Sequence, residues 1–115
     1  MILLLSDDLL DASKTIAAAR AHGHTALQCR TMAVLLEQLA RQRVASVIVD
    51  LQNTTLDLIG LRQARETNEG KPSIIAYGSH VDAGRLKEAR EAGCEEVMPR
   101  SKYFEGLEKR FERGT

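Results

Sequence analysis

The sequence predicts an α/β domain built on a five-stranded parallel sheet, strand order 2-1-3-4-5, doubly wound by helices on both faces. Three observations lead there. Five short apolar runs alternate with five segments of helical periodicity, giving the order βαβαβαβαβα. The first, third and fourth runs are nearly continuous Leu, Ile, Val and Ala, as in parallel strands covered on both faces. The second run, "TALQC", is half polar and suits an edge. Crossovers of one hand on both faces then put strands 1, 3 and 4 at the centre.

The elements follow in order. Ile2 to Leu5 is the first strand, and Ser6 or Asp8 caps a helix that runs to about Ala21. Ala12, Ile16 and Ala19 form its inner face, and Gly23 closes it. Residues 25–29 are the second strand. Thr31 starts a helix with Val34, Leu35 and Leu39 on one side. "VASVIVD", residues 44–50, is the third strand, and "LDLIGLRQARE" is a helix from near Asp57 to around Gly70. "SIIAY" is the fourth strand. Asp82 begins a helix with Leu86, Ala89 and Ala92 inward, ended by Gly93. "CEEVM" is the fifth strand, and Ser101 caps a last helix carrying Phe104, Leu107 and Phe111 at helical spacing.

A chain of 115 residues suits one domain, residues 1–115, with no linker, repeat or low-complexity segment. Sixteen basic residues balance sixteen acidic ones, which argues against nucleic acid or a membrane held by bulk charge. No apolar run approaches the roughly 20 residues of a membrane span. "MILLL" lacks the basic flank of a signal peptide, so the expected location is cytoplasmic. Cys29 and Cys94 would lie on opposite edge strands, roughly 19 Å apart, and are expected to be free thiols. His22 and His24 form an H-x-H turn without further ligands nearby in sequence.

In an open parallel sheet, ligands sit beyond the carboxyl ends of the strands, where the strand order reverses. This sequence puts Ser6-Asp7-Asp8 there after strand 1, Asp50 at the end of strand 3, Tyr77-Gly78-Ser79 after strand 4, and Arg100 and Lys102 after strand 5. Clustered carboxylates raise one another's pKa or recruit a cation, and Mg²⁺ prefers hard oxygen ligands. A carboxylate beside Mg²⁺ and a fixed cation can attack a phosphoryl group.

Over its full length the chain resembles the receiver domains of bacterial response regulators, the CheY-like family, whose sheet has the flavodoxin-like order. The segments that carry the likeness are "LLLSDD", "VIVD", "PSIIAY" and "EAGCEEVMPRS". The resemblance implies Asp50 as phosphoacceptor, with Mg²⁺ held by Asp50, by an acid pair after strand 1 and by the backbone carbonyl of Gln52. Counting back from Gly23 makes that pair Ser6-Asp7, while the phase of the first helix makes it Asp7-Asp8. The resemblance places Tyr77, Gly78 and Arg100 at phosphate-contacting or switch positions. It also implies a histidine kinase or phosphotransfer protein as partner, a docking face on helix 4, strand 5 and helix 5, and a monomer or weak homodimer. The sequence ends soon after the last helix, so action is expected through protein contacts, with a fragment of a longer regulator as the alternative, and the chain is not expected to be an enzyme.

Several positions depart from the family's pattern. Tyr77 stands where a Thr or Ser is usual. Arg100-Ser101 replaces Lys-Pro, and a planar guanidinium does not reproduce a compact ammonium. Pro99 lies one residue early, so the bond after Arg100 is expected trans. Val97 stands at the place of a switching aromatic, and Asn53-Thr54-Thr55 stands where a proline is common. Arg100 could thus pair permanently with Asp50 or Asp7. Two readings follow: a receiver that exchanges phosphoryl groups at Asp50, and a phosphorylation-independent interaction module. A flavin or nucleotide enzyme is opposed by the acidic, glycine-free turn "SDDLLDAS".

Overall fold

A computed structural model describes residues 1–112. The elements are β1 (Ile2–Leu5), α1 (Leu9–Ala21), β2 (Ala26–Cys29), α2 (Met32–Arg41), β3 (Ser46–Asp50) and α3 (Leu58–Thr67). They continue with β4 (Ser73–Gly78), α4 (Ala83–Glu91), β5 (Glu96–Pro99), α5 (Arg100–Glu105) and α6 (Leu107–Glu112). All neighbouring strands are parallel, in the order β2-β1-β3-β4-β5. The 2-1-3-4-5 order read from the sequence is therefore the order of the sheet.

The period-two alternation of the strands divides the core into two layers. Leu3, Leu5, Val47, Val49, Ile74 and Ala76 face a cluster with α2, α3 and α4. Ile2, Leu4, Ile48, Ile75 and Tyr77 face the other cluster, with α1, α5 and α6. Each fully buried Leu or Ile contributes about 1.5–3 kcal/mol, so continuous apolar strands lock the register.

Four helices begin where an oxygen-bearing side chain can accept the first free amides. Asp8 caps α1, Thr31 caps α2, Asp57 caps α3 and Asp82 caps α4. Gly23 and Gly93 take positive φ just past α1 and α4, as the sequence reading expected.

Some details differ. The last helix is two, broken at Gly106, and Ser101 lies exposed inside the first turn while Pro99 occupies the cap position without a side-chain bond. On α2 the inward residue is Met32, and Val34 is exposed, because capping by Thr31 sets the helix phase. Cys94 precedes β5 instead of lying in it. Both cysteines are free, and the described residues contain no cis peptide bond.

Candidate functional site

The carboxyl ends of β1, β3 and β4 open on one crevice. Asp50 is the last residue of β3, beside Tyr77 of β4 in register. Alternation turns both toward the layer of α1 and α5. Asp50 is only 6% exposed. Its Oδ2 accepts a 3.1 Å bond from the Ser6 hydroxyl, and its Oδ1 accepts a 2.9 Å bond from the Gln52 amide. Burial pushes the Asp50 carboxyl above its usual range, and these two bonds and the nearby Arg100 only partly oppose that. Gln52 thus meets Asp50 through its amide N–H, while its side chain is exposed.

The acids after β1 go separate ways. Ser6 is buried and turned to Asp50; its Oγ also accepts the Asp8 amide at 3.1 Å. Asp7 is exposed. Asp8 caps α1, accepting the amides of Leu10 and Asp11 at 2.9 and 3.0 Å. The hydrogen bond from the Asp11 amide, more than any other cause, holds the Asp8 carboxyl below its usual range.

The carboxylate that the crevice is organised around is Asp11, which sequence reasoning missed. It is fully buried in the first turn of α1. It accepts a 2.8 Å hydrogen bond from the Tyr77 hydroxyl. Both of its oxygens also accept from the Arg100 guanidinium, Nη1 to Oδ2 and Nη2 to Oδ1. This fork-on-carboxylate geometry is the strong form of the ion pair, and it raises the Arg100 pKa further.

The network extends through aromatic rings. Tyr77 is fully buried and stacks on Tyr103 of α5 with centroids 4.6 Å apart. The Tyr103 hydroxyl lies 3.1 Å from Thr15 Oγ1 on α1. The Arg100 guanidinium lies 5.0 Å from the centre of the Phe104 ring. One polar and aromatic network therefore ties α1, β4 and the start of α5 together. Gly78 follows Tyr77 where a Cβ would meet Leu51 side-chain atoms at 3.2 Å, so a larger residue would require the Leu51 side chain to give by a few tenths of an ångström. A signal for Asp11 existed: it lies on the inward stripe with Ala12, Thr15 and Ala19, where an acid demands a partner.

As arranged, Asp8 is spent on the helix end and Asp11 is neutralised by Arg100, which leaves Asp50, whose oxygens each accept one hydrogen bond, and the exposed Asp7 as the carboxylates that would hold Mg²⁺. Among the described residues no three His, Cys, Asp or Glu side chains come together to hold a metal. Away from the crevice, His22 bonds Glu108 at 2.7 Å and His24 bonds the Phe111 carbonyl at 3.0 Å, so the H-x-H turn anchors α6.

Comparison with solved structures finds this architecture in response regulator receiver domains. The chain superposes on a response regulator from Thermotoga maritima with a TM-score of 0.79 at 15% identity, covering 97% of this chain and 93% of that one. It matches the receiver domain of sensor histidine kinase PA1611 from Pseudomonas aeruginosa PAO1, a structure with magnesium in its active-site cleft, with a TM-score of 0.78 at 19% identity; coverage is 97% and 93%. It matches HP1043, an orphan response regulator of H. pylori, with a TM-score of 0.77 at 13% identity, covering 97% and 92%. No family sequence profile and no curated protein sequence matches. The fold is thus the receiver fold, at identities that speak to fold alone. No helix among the described residues is long and apolar enough to cross a membrane.

Proposed function

We propose that this chain is a receiver-type signalling domain of the cytoplasm that works through protein contacts without phosphoryl transfer, and is not an enzyme. The observation that supports the reading is the bidentate pairing of Arg100 with buried Asp11, joined by Tyr77. A cation that could meet charge developing on Asp50 is committed to a different carboxylate. The same pair ties the first residue of α5 to α1, and so holds α5 at one border of the face formed by α4, β5 and α5. Docking of a partner protein on that face would read it without a kinase or phosphotransfer protein acting first.

Acetyl phosphate or beryllofluoride with Mg²⁺ tests this. The expected result is no mass gain in intact protein and unchanged amide shifts around Asp50, Tyr77 and Arg100. A mass gain of one phosphoryl group on Asp50 would overturn the reading and establish a phosphoaccepting receiver dependent on Mg²⁺.

A further inference from the structure

The two edges of the sheet are built differently. On the β5 edge, Glu96 stands at one end and Pro99 at the other, two devices that discourage strand addition. On the β2 edge the strand is Ala26-Leu27-Gln28-Cys29, without a charge or a proline.

The ladder fixes which groups face out. Ile2 N–H donates to the Thr25 carbonyl at 2.9 Å, and Ser6 N–H to the Cys29 carbonyl at 3.1 Å. With Ile2 paired to Ala26 and Leu4 to Gln28, parallel alternation turns the backbone of Thr25, Leu27 and Cys29 inward. The N–H and C=O groups of Ala26 and Gln28 therefore point away from the sheet. Between them the Leu27 side chain is 37% exposed.

We infer that the β2 edge is a self-association site, where a second copy adds its own β2 antiparallel across a two-fold axis through Leu27. This register is self-complementary. Ala26 of each copy faces Gln28 of the other and exchanges both backbone bonds, four in all. Leu27 meets its symmetry mate as a close non-hydrogen-bonded pair on one face. On the other face, Leu9, Ile16 and Ala17 of α1 line an open groove of about 330 Å³ together with Gln28, Ser13 and Arg20, which the second copy would cover. Leu9 is among the most exposed apolar residues. The two sheets would join into one of ten strands.

Sedimentation over a concentration series, with amide hydrogen exchange at each concentration, tests the inference. Dimer should form with rising concentration, and the amides of Ala26 and Gln28 should gain protection with it. Leu27→Lys puts like charges directly opposite one another and should raise the dimer dissociation constant about tenfold or more. Its unfolding midpoint, followed by circular dichroism, verifies that the monomer still folds. Arg90→Glu on α4 should leave dimerisation unchanged. A chain monomeric to millimolar concentration would overturn the inference, as would a dimer that survives Leu27→Lys and is broken by Arg90→Glu.

Discussion

Replacing Arg100 by alanine would strip the cation from a carboxylate that water does not reach. Asp11 is fully buried and keeps only the Tyr77 hydroxyl as a side-chain partner once the guanidinium is gone. Stranding a buried charge costs about 3–5 kcal/mol. The Arg100 side chain is itself 41% exposed, so solvent already screens part of the pair and can enter the space it leaves. Discounted accordingly, the loss is about 2–3 kcal/mol. In a domain of 115 residues that lowers the Tm by about 10 °C. Asp11→Asn should cost less, about 1 kcal/mol, because Arg100 can turn to water and the amide oxygen still accepts from Tyr77. The double variant should lose less than the sum, with a coupling of at least ~1 kcal/mol. Urea unfolding of the four proteins, read by circular dichroism, supplies the cycle. If Arg100→Ala stays within about 0.5 kcal/mol of wild type, or the cycle is additive, the ion pair is not what organises the crevice.

Tyr77→Phe keeps the stack on Tyr103 but removes one buried hydrogen bond to Asp11, and chemical denaturation should show a loss of about 1–2 kcal/mol. Burial raises the Asp50 carboxyl, so the folded state holds that proton more tightly than the unfolded chain does. Its contribution is therefore greatest below the unfolded value of about 4 and declines as pH rises through the folded value. Asp50→Asn should accordingly be more stable than wild type at pH 7, with the gap closing toward pH ~4 in parallel urea titrations; a less stable variant at pH 7 contradicts this. The Cys29 thiol is pushed up to about 11 by burial, and burial raises Cys94 as well. A thiol reagent at pH 8 should thus modify the native protein slowly and both cysteines promptly in denaturant.

Most of the fold could be read from apolar runs and caps. Continuous Leu, Ile and Val in β1, β3 and β4 have only one low-energy home, a sheet covered twice. The acid or hydroxyl caps Asp8, Thr31, Asp57 and Asp82 mark helix starts because free amides need acceptors. The break at Gly106 was not visible, since Phe104, Leu107 and Phe111 keep helical spacing across it. In the site, Asp50 was legible from its place at a strand end. Its surroundings were not. Asp7 and Asp8 look like metal ligands by adjacency, yet helix capping claims Asp8 and leaves Asp7 exposed. The sequence leaves Arg100 two roles, phosphate contact or an ion pair with Asp50 or Asp7, and the structure pairs it with Asp11 instead. Asp11 took that place because one helical turn past the cap brings it to the inner face, directly under β4 and α5. That is a consequence of helix phase, which adjacency in sequence does not display.

The account turns on where one guanidinium sits, and ¹⁵N-detected NMR of arginine side chains observes it directly. Held by two oxygens of Asp11, the Arg100 group should show slowed rotation and separate Nη signals, unchanged by beryllofluoride with Mg²⁺ and lost in Asp11→Asn. A freely rotating Arg100, or one whose signals move when beryllofluoride is added, would contradict it.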